Sequence, residues 1–445
     1  MSDHVASSTG RHRAWADLVV DHYHLRLDAA LTDWFDSEQW RSTGTGEFSE
    51  PVTPEQLLAD CPEPIWPGLM PPDLLPLVGD QYGDWLCLRV AADNSVQEIV
   101  HWYHGGGDWI PWGQTLPEAF AFQQTRDHLP GLPFRHADPA APLRTSQADD
   151  PHFLWAKRFL PLAAVQLIEG LAVGAVSQPS LYVIEQLIGS EVATTALHAE
   201  AILQALDTPL RRLTPAQANE LGIVWDGELD GWLLDAAVAP PDALQRLATR
   251  LHQEVSQLKQ QDWDTAAQHA SAVASTRGDL SWPLHILAWT AERRREPGAA
   301  LESYGRALTT SVFTDQSVRF RTHNRQEEKR SATRLAQLLK QHPELGDEWH
   351  GDREYWQVWS TATAADRQTA IAQLWQQRAS SAEAGGHWQT AYEAYVQAGW
   401  DLGLTSMLAY GPLLRHIADA AERAGQPARA AVAAAHARCF AQRFG

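Results

Sequence analysis

The chain reads as an α+β domain over residues 13–128, a proline-rich linker over 129–152 and an all-α region over 153–445. Three observations predict this division. Trp85-Leu86-Cys87-Leu88-Arg89-Val90 and Val96-Gln97-Glu98-Ile99-Val100-His101-Trp102-Tyr103 are β-rich runs around a short polar break, the pattern of an antiparallel hairpin. From Phe153 onward strand signals are scarce and apolar residues recur at helical spacing. Four times in that later region a short turn leads into a helix with a small residue near its start.

The elements follow in chain order. Residues 12–41 set Trp15, Leu18, Val19, Leu25, Leu31, Trp34 and Phe35 among acids and read mainly as helix, although Tyr23-His24-Leu25-Arg26-Leu27 alternates like a strand. Residues 42–60 read as a loop, then a short helix after Thr53-Pro54-Glu55, with proline at a first helical position. Ile65 to Pro72 leads into a turn, Gly79-Asp80-Gln81-Tyr82-Gly83-Asp84, that opens the first strand of the hairpin. Glycine supplies backbone conformations closed to other residues, and Asp bonds its own turn, so the loop shape is strongly specified. After the hairpin, His104-Gly105-Gly106-Gly107-Asp108 turns into Trp109-Ile110-Pro111-Trp112, and Thr115 and Glu118 stand at capping-box spacing. Pro130, Pro133, Pro139, Pro142 and Pro151 punctuate the linker. Residues 153–250 read as helices without a clean repeat, with Trp225 and Trp232 anchoring a turn.

The four turn-and-helix starts are Gln261-Asp262-Trp263 before Ala266 and Ala270, and Glu296-Pro297-Gly298 before Ala300 and Tyr304. The others are Gly386-His387-Trp388 before Ala391 and Tyr395, and Gly425-Gln426-Pro427 before Ala430 and Ala434. Ala266 and Ala300 are 34 residues apart, and Ala391 and Ala430 are 39 apart. This region resembles a degenerate tetratricopeptide-like array, clearest at 241–310 and 370–442. Small residues at these positions let paired helices approach closely, and stacked pairs bury a core that no single pair supplies.

The stretch Leu77-Val78-Gly79-Asp80-Gln81-Tyr82-Gly83-Asp84-Trp85, followed by Val100-His101-Trp102-Tyr103-His104, resembles the SUKH superfamily of Smi/Knr-type, cell-wall-assembly-regulator-like proteins. The resemblance covers roughly residues 15–125 and departs from the commoner form, in which a helix and a Leu-Pro-x-x-Tyr segment come first. It implies an α+β binding domain, in bacteria often an immunity protein that neutralises a toxin, and not an enzyme. The partner-binding candidates it implies are Gly79, Asp80, Tyr82, Gly83, Asp84, Trp85, Trp102, His104, Asp108, Trp109 and Trp112. Their role is either direct or wholly structural. Trp102, Trp109 and Trp112 would supply anchoring area where exposed, since Trp is favoured at binding hot spots.

Charge is distributed unevenly. Residues 1–150 carry 23 Asp and Glu against eight Arg and no Lys, a net −15 out of −20 for all 445 residues. Such a surface repels phosphate, which argues against nucleic acid, and favours encounter with a basic protein. Twenty Trp suit packed cores and binding faces alike. Cys61, Cys87 and Cys439 are far apart and form no CxxC, so no disulfide scaffold is expected. The polar N-terminus and the interruption of Leu160–Val176 by Gln166 and Glu169 lead to the expectation of a cytoplasmic protein without a membrane span.

Catalytic and metal motifs are incomplete. His104-Gly105-Gly106-Gly107 matches an esterase oxyanion loop, but the chain has no Gly-x-Ser-x-Gly. Asp80 and Asp84 read as turn residues rather than an acid–base pair. His22 with His24, and His101 with His104, lack zinc-type companions, so neither metal nor cofactor is expected. Arg293–Arg295 and Arg319–Arg325 read as charged outer helix faces, and Trp349, Tyr355, Trp356 and Trp359 as packed core. The expectation is a non-enzymatic protein-binding protein. The alternative is a peptide-binding helical scaffold, with a hydrolytic enzyme a remote third.

Overall fold

A computed structural model describes residues 13–126, 149–173, 191–206, 213, 215–222, 240–258, 261–318, 329–346 and 349–445. The linker prolines 130, 133, 139 and 142, the turn holding Trp225 and Trp232, and the basic run 319–325 lie outside these residues. The N-terminal part is a five-stranded antiparallel meander in the order β1-β2-β3-β4-β5, namely β1 Glu50–Pro51, β2 Leu74–Gly79, β3 Trp85–Val90, β4 Val96–Trp102 and β5 Trp109–Gly113. The expected hairpin is its centre, with Trp85 opposite Trp102 and Cys87 opposite Val100.

Three strands went unread, and each contains a proline. Pro111 sits in β5 at the sheet's outer edge, opposite Val100 and beside a register shift between Ile99 and Val100. Pro76 lies at a register shift in β2, between Pro76 and Val78. Pro51 lies in β1, at the other edge. Proline donates no ladder hydrogen bond, and edges and bulges are where a sheet tolerates it.

Helices α1 Trp15–Tyr23, α2 Ala29–Asp36, α3 Pro54–Leu57 and α4 Leu116–Arg126 surround the meander. Tyr23 closes α1 and Arg26 makes one isolated bridge with Ser95, so the alternating stretch is a helix end and a turn rather than a strand. Asp28 caps α2, and Thr53 with Gln56 forms a full capping box on α3. On α4, Thr115 Oγ1 accepts from the Glu118 amide and the Glu118 carboxylate accepts from the Gln114 amide. Helix α5 Pro151–Ala156 begins inside the stretch read as linker. Asp150 caps it and also accepts from Thr45 Oγ1 at 2.8 Å, and Trp155 packs edge-on against Trp34 of α2.

Among the described residues that follow, the regular elements are helices: α6 Leu162–Ala172, α7 Glu191–Ala205, α8 Pro215–Glu220, α9 Pro241–Arg250, α10 Trp263–Thr276, α11 Ser281–Arg293, α12 Pro297–Ala307, α13 Arg330–Gln341 and α14 Arg353–Thr361. The series closes with α15 Arg367–Ala384, α16 Trp388–Trp400, α17 Tyr410–Arg423 and α18 Pro427–Phe444. All four expected helix starts occur, at α10, α12, α16 and α18, and successive helices pair from α10 to α12 and from α15 to α18. Ala266, Ala270, Ala300, Tyr304, Ala391 and Tyr395 are buried between them. In α18 the frame differs: Ala430 and Ala434 are half-buried, while Ala428, Val432, Ala435 and Cys439 are buried. Alanine at eight of the 18 positions of that helix, on all sides of it, leaves its face poorly defined by periodicity. Trp349, Tyr355 and Trp359 are buried core.

Sheet and helices share one hydrophobic core. Along α18, Arg429 Nε donates to Val90 O at 2.9 Å, His436 Nε2 to Leu74 O at 2.9 Å, and Arg443 Nη1 to Ile65 O at 2.6 Å. Trp400 Nε1 donates to Leu69 O at 3.0 Å. A charge network crosses the same boundary. Arg89 and Glu98, opposite each other on β3 and β4, pair at 3.1 Å, and Arg89 also reaches Asp73 at 3.1 Å. Arg277, at the end of α10, reaches Glu98 at 2.6 Å and Asp279 at 2.8 Å. Glu98 is fully buried and has two guanidinium partners, which offsets the cost of desolvating its charge.

Candidate functional site

The Gly-Asp turn between β2 and β3 and the glycine turn between β4 and β5 lie side by side at one end of the sheet. In the first, Asp80 Oδ1 accepts from the amides of Tyr82 and Asp84, both at 2.8 Å, and Asp80 N donates to Asp84 O at 3.0 Å. Burial raises the Asp80 carboxyl against the pull of these amides. Gly83 has φ +100°, a conformation that L side chains rarely adopt, and a Cβ there would meet the His104 ring. A Cβ on Gly79 would lie 2.6 Å from the Trp85 ring, which covers it. The turn's glycines are thus fixed by backbone sign at one position and by close packing at the other.

Asp84 joins the two turns. Its Oδ1 accepts from the His104 amide at 2.9 Å and contacts His104 Nδ1 at 2.7 Å, while Oδ2 lies 3.4 Å from His101 Nε2. Burial would push this carboxyl up, but the hydrogen bonds from His101 and His104 outweigh it and hold the group at about 2. An ionised Asp84 only accepts, so both imidazoles donate to it. His101 is buried, stacked on Tyr103 and edge-on to Phe48 and Trp112. His104 presents a side chain 42% exposed. On the second turn, Tyr103 N donates to Asp108 O at 2.8 Å, and Asp108 is buried.

Comparison with protein-family models, with curated proteins and with solved structures finds no match for this chain. The geometry alone sorts the candidate residues. Gly79, Asp80, Gly83, Asp84, Trp85, His104 and Asp108 build the paired turns. Tyr82, 80% exposed, projects from the tip. Trp102, Trp109 and Trp112 do not offer the anchoring surface expected of them, because all three are buried. Trp102 packs against Trp66, Trp109 lies under the Arg89 guanidinium, and Trp112 is edge-on to Phe48 and Phe122. Their alternation in β4 and β5 places them on the two covered faces of the sheet.

Two surface residues near the turn escaped sequence reasoning. Glu50 of β1 is exposed and stands opposite Gly79, an arrangement invisible without the unread strand. Trp66 is 40% exposed, and nothing in the proline-rich lead distinguishes it from its buried neighbours. Among the described residues, no group of three or more His, Cys, Asp or Glu is arranged to hold a metal ion. No described helix is long and apolar enough to cross a membrane.

Proposed function

We propose that the protein is a non-enzymatic binding protein of the SUKH type, acting in toxin immunity or regulation, that captures a basic protein partner at the paired turns. The observation that carries this reading is the exposed Tyr82 on a rigid Gly-Asp turn, flanked by Glu50 and His104, within a segment of net charge −15. A rigid aromatic gives contact area at little entropic cost, and surrounding carboxylates steer a cationic partner over a screening length of about 10 Å at 0.1 M salt. Asp84 and His104 together form half of an acid–base set. Asp84 also holds the His104 amide, a use that belongs to loop shape and supports binding over hydrolysis.

The test uses the full chain as bait in native extract, at low and high salt, beside the variants Tyr82→Ala and Glu50→Lys. A basic protein retained by the wild type, released by salt and lost by both variants is the expected result. Retention that neither substitution nor salt alters would overturn the reading in favour of a peptide-binding helical scaffold.

A further inference from the structure

Residues 60–65, between α3 and β2, run along the last two turns of α18 and are tied to it at successive backbone carbonyls. Arg438 Nε donates to Asp60 O at 2.9 Å, Cys439 Sγ to Pro62 O at 3.5 Å, and Arg443 Nη2 to Glu63 O at 2.6 Å. This lacing brings together two thiols separated by most of the chain. Cys61 and Cys439 are both free, and Cys61 sits between Asp60 and Pro62, whose carbonyls are held by Arg438 and by Cys439 itself. Cys439 is buried in the helix interface, while Cys61 is half-buried and reachable from solvent. The third cysteine, Cys87, is buried within β3.

We propose that Cys61 and Cys439 form a redox-responsive clip: a small-molecule disulfide converts them to an intramolecular disulfide that locks α18 onto the 60–65 segment. The accessible Cys61 thiolate attacks one sulfur of the small disulfide, forming a mixed disulfide and releasing one small thiolate. Cys439 then gives up its proton and attacks the Cys61 sulfur, and the second small thiolate leaves. Two protein thiols are oxidised, one small disulfide is reduced to two thiols, and the two protein protons end on the released thiolates. Burial raises the Cys439 thiol to about 11, so Cys61 is the first nucleophile and closure quickens with rising pH. The bond closes a loop spanning nearly the whole chain, and loop closure restricts the unfolded state most when the loop is long. Oxidation therefore strengthens the docking of the helical region on the sheet.

The clip is tested by incubating the full-length protein with oxidised glutathione, then counting thiols after unfolding and mapping peptides by mass. The wild type is expected to lose two of its three thiols and to yield one linked peptide pair containing Cys61 and Cys439. Its urea midpoint should rise on oxidation, and Cys61→Ala, at a half-buried site, should keep both remaining thiols and show no rise. A mixed disulfide that persists on Cys61, a bond between two chains, or an unchanged midpoint in the doubly oxidised protein would each overturn the proposal.

Discussion

His436 makes the stability of the sheet–helix boundary depend on pH in a calculable way. Its ring is fully buried in α18 and donates from Nε2 to Leu74 O of β2 at 2.9 Å. Burial lowers its pKa from 6.5 to about 4, the Leu74 carbonyl and Asp73 pull the other way, and Arg443 adds to the lowering. Between those two values the unfolded chain binds a proton that the folded chain refuses. Stability from this group is therefore complete above pH 6.5, falls as the pH drops, and is fully lost below about 4. At about 1.36 kcal/mol per pH unit the limit is ~3 kcal/mol, of which about 2 kcal/mol is lost by pH 5. His152 and His285 are also lowered by burial and contribute slope of the same sign. A His436→Gln variant separates the contributions, because its amide still donates to Leu74 O and does not titrate. Urea unfolding followed by Trp fluorescence at pH 7.5 and 5.0 should show the wild type losing about 2 kcal/mol more than the variant. Equal losses in the two proteins would refute the assignment of that slope to His436.

Other perturbations test the site and the boundary. Glu98→Ala leaves Arg89 and Arg277 without their shared buried carboxylate and should cost ~3–5 kcal/mol by urea unfolding, whereas Asp93→Ala at the exposed Arg26 pair should leave the midpoint essentially unchanged. Gly83→Ala forces a side chain into φ +100° and should cost ~1–3 kcal/mol; Gly105→Ala, with nothing within 4 Å of the added carbon, should be nearly neutral in the same thermal melt. Trp112→Ala should cost ~3–5 kcal/mol as a core truncation, while Tyr82→Ala should abolish partner capture with no change in melting temperature. The Asp84 carboxyl, held at about 2, should stay ionised until the pH falls below 4, so stability from its bonds to His101 and His104 is lost only between about pH 4 and 2. That window is read from acid titration of the wild type against Asp84→Asn.

Local chemistry was legible and long-range contact was not. The central hairpin, the Gly-Asp turn, the capping box at Thr53, the Thr115 side-chain cap and the four turn-and-helix starts all depend on residues within a few positions of each other, and each is present. Strands β1, β2 and β5 were hidden because Pro51, Pro76 and Pro111 break the pattern that announces a strand, and only the sheet shows that edges and a bulge accommodate them. The tryptophans show the same limit. Alternation puts Trp102 on one face of β4, but whether that strand meets water depends on Trp66 and on the helical region, whose Arg277 reaches Glu98 of the same strand. Two signals of that covering were present in β3 and β4: Arg89 and Glu98 are charged residues inside apolar strands, which a solvent-facing strand would not need to bury. On α18 the corresponding traces are His436 and Cys439, polar residues in a run of alanine. Helical periodicity assigns them no partner, yet each bonds a carbonyl of the N-terminal part, Leu74 and Pro62, and so fixes which face of a nearly featureless helix turns inward. An alanine helix packs against almost any apolar surface. Replacing His436 with a hydrocarbon would keep the burial and remove the directional bond, so the register of α18 on the sheet is where such a variant should differ from the wild type.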